Sequence, residues 1–310
     1  MENQVEKLIV ENILSALMEK GVIGSDNLPE KIIEKAVTQV SADTTECTGE
    51  CGPCNNCGDP IELEPNDKIM VENPHNMEAL KMMRESTPAR ILMGRAGARQ
   101  RTASYLNFLA DHASAQDAVY QDVSDEFIER NKLLKTQTIV ENKDEYLQNP
   151  ELGKKLNEGS KKLILENCEK NKNVQIIVVD GLSSTAIEAN VEDVLPSLIQ
   201  GLKAEGLTMS TPFFVKYGRV GIQDEIGAML NCDVVVELVG ERPGLITAES
   251  MSSYMIYRPS KDTVEADRTV ISNIHRGGTP PVEAGAHMAT VVRKMIDNKA
   301  SGVKLSEILK

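Results

Sequence analysis

The sequence has no tryptophan, and only four Phe and six Tyr among 310 residues. So few ring faces leave little on which bases could stack. An excess of basic residues is also lacking, since the formal net charge is -13. A phosphate backbone is gripped by clustered Lys and Arg, so nucleic acid is excluded as a partner. Long hydrophobic runs are missing too. The longest, such as Ile176 to Val179 and Val234 to Val236, are strand-sized, far short of the roughly 18 residues that signal a membrane span. The chain opens Met1-Glu2-Asn3-Gln4-Val5-Glu6-Lys7, mixed in charge, with no apolar stretch and small-residue cleavage site behind it. No secretory signal is read, and a reducing, cytoplasmic compartment is expected. There the six Cys are expected as thiols or metal ligands rather than disulfides. No Gly-x-Gly-x-x-Gly follows a strand, and there is no Walker loop, Gly-x-Ser-x-Gly elbow or His-Glu-x-x-His. The dinucleotide, P-loop, serine-hydrolase and zincin readings therefore gain no support.

What is present is ordinary globular material, 41% hydrophobic and 26% charged, in a length that allows about two domains. Residues 1–20 read as an amphipathic helix. Val5, Leu8, Ile9, Ile13, Ala16 and Leu17 form one stripe, and Gly21 supplies a stop. A second short helix is expected around Pro29, with Ile32, Ile33, Val37 and Val40 on one face. Residues 21–68 combine that helix with a flexible, Cys-rich and apolar-poor linker. The body, 69–310, opens with helices at Met77–Arg84 and Tyr105–Ala113, separated by the Gly- and Arg-rich loop Gly94–Arg101. A charged helix over 151–169 is expected to bury Leu152, Leu156, Leu163, Ile164 and Cys168.

From there strands and helices alternate. Val174–Val179, Phe213–Tyr217 and Asp233–Val239 are apolar, β-branched or aromatic runs of the kind buried on both sheet faces. Helices are expected from Ser184 to about Gly201, over Gln223–Leu230 and over Pro281–Lys294, with further strands at Tyr254–Tyr257 and Thr269–Ile274. This order predicts an α/β fold, a mainly parallel, Rossmann-like sheet flanked by helices. Ligands on such sheets sit beyond the strand C-termini. Here those ends are Asp180-Gly181, Tyr217 to Val220, Gly240 to Gly244 and His275 to Gly278.

Several groups could carry chemistry. Cys47, Cys51, Cys54 and Cys57 lie within eleven residues. Four such thiols can wrap a zinc ion or an iron–sulfur cluster, and can equally be idle thiols of a polar linker. His275, in Asn273-Ile274-His275-Arg276-Gly277-Gly278, sits where a cobalt-ligating His would, with Asn in place of the Asp that would raise its basicity. A backbone-bonded His at a strand end is the alternative. Asp180 to Ser184 offers either an anion site at a helix N-terminus or a plain serine cap. Arg95, Arg99 and Arg101 suit a phosphate, a carboxylate or an acidic partner chain. Glu241 beside Arg242 is either an acceptor for amide N–H groups or half of a surface ion pair.

Longer stretches carry a resemblance. These are Val71-Glu72-Asn73-Pro74-His75, Gly94-Arg95-Ala96-Gly97, Phe108-Leu109-Ala110-Asp111-His112, Asp180-Gly181-Leu182-Ser183, Thr211 to Val220, Val239 to Leu245, Val264 to Thr269 and Ser272 to Ala284. In this order they resemble the small (light) subunit of ethanolamine ammonia-lyase over about three quarters of the chain. The resemblance implies a subunit of an adenosylcobalamin-dependent lyase that converts ethanolamine to acetaldehyde and ammonia by a radical route. It implies a catalytic large subunit as partner in a hetero-oligomer, with the cofactor held base-on between the chains. It also implies that His275 is not a cobalt ligand. The family's cobalamin contacts fall on Val220, on Glu241 and on Val270, the last a Cys in the best-known members, directly after Asp267-Arg268-Thr269, so that a backbone or packing contact is implied there rather than a thiol one. Small subunits of this type carry an N-terminal helix that directs the enzyme into a bacterial microcompartment, a role that residues 1–20 fit as a shell contact. The Cys quartet is not part of the family pattern. The competing expectation is a metal-binding redox protein or an adaptor, using Cys47 to Cys57 and the N-terminal helix.

Overall fold

The computed structural model describes residues 68–310. The expected segments 1–20 and 21–68, with the Cys quartet, lie outside the described residues, save Lys68.

Helix α1 (Met77–Glu85) begins at Asn76, whose side chain accepts the Ala79 N–H at 3.0 Å. None of its side chains is buried. The Gly- and Arg-rich stretch is a small hairpin, β1 (Arg95–Ala96) with β2 (Arg99–Gln100), turned at Gly97 with φ +62°. A left-handed turn residue is what glycine supplies most easily. Helix α2 (Thr102–Tyr120) follows and buries only Ser104, Asn107 and Ala118.

Then come α3 (Asp125–Arg130), β3 (Leu134–Gln137), α4 (Lys143–Gln148) and α5 (Glu158–Asn167). The single helix expected over 151–169 is instead a short 3-10 turn, Leu152–Lys154, followed by α5. Asn157 makes the break by capping α5, its side chain accepting the Ser160 N–H at 2.8 Å. Leu156, Ile164 and Cys168 are buried as expected, whereas Leu152 and Leu163 are only half-buried.

The rest alternates: β4 (Val174–Val179), α6 (Ser184–Ala204), β5 (Phe213–Lys216), α7 (Ile222–Leu230), β6 (Val234–Gly240), β7 (Met251–Tyr257), β8 (Thr269–Ile274), α8 (Pro281–Asn298) and α9 (Gly302–Ile308). The six-stranded sheet runs β3-β5-β4-β6-β7-β8. Its first four strands are parallel; β7 and β8 add antiparallel. The sheet is therefore mixed, with helices against both faces.

One face carries Ile176, Val178, Val236 and Leu238, packed on Ile187, Val194 and Leu198 of α6 and Met288 and Val292 of α8. The other carries Ile177, Val179, Val235 and Phe213, packed on Ile164 of α5 and on Ile222 and Ile226 of α7. Every residue of β4 and β6 is buried, which is why both strands read as mostly apolar runs, broken only by the buried polar Gln175 and Glu237. Among the described residues no helix is long and apolar enough to cross a membrane.

Candidate functional site

Parallel strands end on one edge of the sheet. There the loops after β4, β5 and β6 meet the start of antiparallel β7. The meeting is organised by Asp180, a buried carboxylate one residue past β4. It accepts N–H bonds from Tyr217 at 2.9 Å, Gly218 at 3.3 Å and Gly181 at 2.9 Å. Tyr217 takes φ +59°, a conformation uncommon for a bulky residue. It turns two successive N–H groups onto one carboxylate. The next residues are tied as well: the Tyr146 hydroxyl donates to the Gly218 carbonyl at 2.8 Å, and the Arg219 N–H to the Gly153 carbonyl at 2.9 Å. Val220 is thus delivered by a loop fixed at three successive residues.

Burial pushes Asp180 up to about 6, against the opposing pull of Lys143 and the three N–H donors. Lys143 is buried between the rings of Tyr146 and Tyr217, 5.4 and 5.5 Å from their centroids. Burial lowers its pKa, and Asp180 works against that.

The same turn grips β6. Gly181 takes φ +57°, and a Cβ on it would lie 2.3 Å from the Gly240 carbonyl oxygen. The Leu182 N–H donates to that oxygen at 3.0 Å. A Cβ on Gly240 would in turn lie 2.0 Å from the Ser183 oxygen. Neither position has room for a side chain, so the β4 and β6 ends touch backbone to backbone.

Glu241 follows directly. Its N–H donates to the Ser250 carbonyl at 3.1 Å. Its carboxylate accepts the Ser252 hydroxyl on Oε1 and the Ser250 hydroxyl on Oε2 at 3.3 Å. The surface ion pair with Arg242 is not formed; Ser252 of the incoming β7 and Ser250 just before it hold the carboxylate instead.

These loops enclose a cleft of about 420 Å³ lined by Val220, Glu241, Tyr146, Leu182, Arg219 and Tyr254, among others. The structure therefore brings Val220 and Glu241 together. Val270 is one strand further out. It stands on β8 directly across from Tyr254 and is 45% exposed. It continues the Tyr254 side of the sheet beyond the cleft, on the surface.

Beneath the cleft lies Glu237, two residues before Val239 on the same strand face. It is fully buried, and neither carboxylate oxygen has a hydrogen-bond partner. Burial pushes it up to about 8, with Arg268 pulling the other way. Arg268 is also buried, donating to Gln223 at 3.2 Å and to both Asp224 oxygens at 2.9 and 2.8 Å.

His275 uses both ring nitrogens locally. The Gly277 N–H donates to Nδ1 at 3.1 Å, which places the ring proton on Nε2, 2.9 Å from the Asn273 side-chain oxygen. That is a turn-stabilising His. Ser183 is likewise a plain cap, accepting the Ala186 N–H at 3.1 Å. Among the described residues no group of His, Cys, Asp and Glu is placed to hold a metal ion. Cys168 and Cys232 are free and buried, and burial raises both thiols, Cys232 to about 12. Of the arginines around the hairpin, Arg90 pairs with Asp111 and Arg101 with Glu72.

Reasoning from sequence missed Tyr146, Tyr254, Ser250 and Ser252. The two serines did leave a trace, because residues two apart at a strand start share one face. The other two are aromatic residues that meet the site only through tertiary folding.

The body is thus a mixed α/β fold with a cleft at its strand ends, organised by the buried carboxylate of Asp180 and lined by that of Glu241. The comparisons name the class. Residues 77–306 match the model of the ethanolamine ammonia-lyase light chain (EutC). The ethanolamine ammonia-lyase small subunit of Clostridium perfringens is 47% identical over 299 residues, covering 96% of this chain and 98% of that protein. The small subunit from Lachnoclostridium phytofermentans is 45% identical, covering 98% and 99%, and that from Clostridioides difficile 46%, covering 96% and 98%. The chain belongs to the ethanolamine ammonia-lyase small-subunit family. These alignments reach well before residue 77, so the relatives share most of the N-terminal segment as well.

Proposed function

We propose that this chain is the small subunit of an adenosylcobalamin-dependent ethanolamine ammonia-lyase, and that its strand-end cleft takes one edge of the cofactor. The observation that carries this is the convergence of Val220 and Glu241 on one cleft, with Val270 on the adjoining strand. The donor set fits the group. A corrin rim bears neutral amides, whose N–H groups suit a carboxylate acceptor and whose methylenes suit Val220 and Leu182. The size fits a shared site, because about 420 Å³ receives an edge of a cobalamin and leaves most of it for another chain. When bound, adenosylcobalamin supplies the radical chemistry that turns ethanolamine into acetaldehyde and ammonia. This chain's part is to bind and orient. Glu241 accepts amide N–H groups from the rim. Val220 and Val270 cover apolar rim atoms and exclude water. Asp180 keeps the Val220 loop and the Glu241 strand end in register. His275 stays bonded within its own turn and would not be called on to hold the cobalt.

The large subunit is the catalytic partner. Residues 1–20 direct the assembly to a microcompartment shell, a reading supported by their single apolar stripe. Deleting them is expected to leave turnover intact and release the enzyme from shells in fractionated cells. Lost turnover would refute a pure targeting role. The main reading is tested by acetaldehyde release from ethanolamine and adenosylcobalamin, using the large subunit from the same source. Release only when both chains are present is expected; full release without this chain would sink it.

A further inference from the structure

Resting on the cofactor reading of Glu241, we propose that Ser252 and Ser250 are positioning residues that aim its carboxylate at the corrin rim. A glutamate at a strand end has three free torsions and, if solvated, samples many directions. Here it does not. Ser252, wholly buried at the start of β7, donates its hydroxyl to Oε1. Ser250, two residues earlier, donates to Oε2 at 3.3 Å and uses its carbonyl to hold the Glu241 N–H at 3.1 Å. Backbone and side chain of Glu241 are therefore both anchored to the same short stretch. An ionised carboxylate has about four lone-pair sites. Two are taken by the serines, and two remain for donors arriving from the cleft.

The register makes this possible. Val239 pairs with Ser252 and Gly240 with Met251 across antiparallel β6 and β7. The hydroxyl of Ser252 thus sits on the Val239 face, the face from which Glu241, two residues on, reaches into the cleft. The irregularity between Met251 and Ser253 in the pairing with β8 falls at the same place. Local bulges of this kind re-aim side chains near sites. The serines touch Glu241 and act through it.

The experiment is a double-mutant cycle on the reconstituted two-subunit enzyme. It reads the half-saturating adenosylcobalamin concentration and kcat for wild type, Ser252→Ala, Glu241→Ala and the double variant, with the Ser250→Ala series alongside. Both subunits are first shown to co-sediment in each case. Ser252→Ala is expected to raise half-saturation on the order of tenfold, the usual scale for a hydrogen bond to a charged group. The loss is expected in half-saturation more than in kcat. In the Glu241→Ala background the serine change is expected to add nothing, which a merely structural serine would not produce. If Glu241→Ala raises half-saturation while Ser252→Ala does not, or if the two effects simply add, the serines do not act through Glu241 and the proposal fails alone. If Glu241→Ala itself changes nothing, the cofactor reading of Glu241 fails and takes this proposal with it.

Discussion

Two residues decide how the strand-end cleft is read. Glu241 is held by serines rather than by Arg242, so its charge faces the cleft with acceptor capacity to spare. His275 spends both nitrogens on Asn273 and Gly277, so it has none to give a cobalt ion. His275→Ala in the reconstituted enzyme is therefore expected to leave the absorption and electron-paramagnetic spectra of bound cobalamin unchanged. A shift in the axial-ligand signature would contradict the assignment of His275 to its own turn. At this scale the sequence was partly legible. Val220 and Glu241 follow buried runs whose ends could be located from β-branched and aromatic residues, and the family resemblance singled them out there as cofactor contacts. Asp180 also lay at such an end, but its task is to bind Tyr217 and Gly218, some 37 residues away. Such a contact has no local pattern. Nor does the left-handed φ of Tyr217, which no residue-type preference announces.

At the scale of elements, the cleft depends on how closely two strand ends approach. The carbonyl of Gly240 accepts the Leu182 N–H, and Gly240 faces the Ser183 and Asp180 oxygens at distances that exclude a Cβ. Gly240→Ala must push the β4 and β6 ends apart. It is expected to cost about 3 kcal/mol, read from urea unfolding, and to raise half-saturation for the cofactor as well, because Glu241 moves with its neighbour. A neutral effect on both would show that the loops yield without consequence. The elements most easily foreseen were β4 and β6, β-branched and apolar but for Gln175 and Glu237, and α6, started by Ser183 and buried along one face. Those missed were short or polar. Leu134-Lys135-Thr136-Gln137 forms β3 because β5 supplies a parallel partner, a tertiary reason that overrides weak propensity. The expected helix over 151–169 breaks because Asn157 caps and Leu156 donates its N–H to Glu225 at 2.6 Å.

On the scale of the whole molecule, the stability of the body carries a pH signature. Glu237 is buried without hydrogen-bond partners and pushed up to about 8 from an ordinary 4.5. The folded state then holds this proton where the unfolded chain has released it. Stability contributed by this group falls as pH rises from about 4.5 to about 8, and is level above. Asp180, raised to about 6, adds a fall of the same sign between its ordinary range and that value. Glu237→Gln stays neutral at every pH. Its advantage over wild type in thermal unfolding is expected to grow between pH 5 and pH 8. A constant difference would show that Glu237 does not titrate in that window. The same molecule presents a cleft of about 420 Å³, too small to enclose a cobalamin, so the proposed cofactor site needs a share from the large subunit. The most direct measurement is therefore a map of the two-subunit complex with adenosylcobalamin bound. Corrin density against Val220, Glu241 and Val270, with amide groups within hydrogen-bond reach of the Glu241 carboxylate, is the expected result. A cofactor enclosed by the large subunit alone, or seated against another face of this chain, would contradict it.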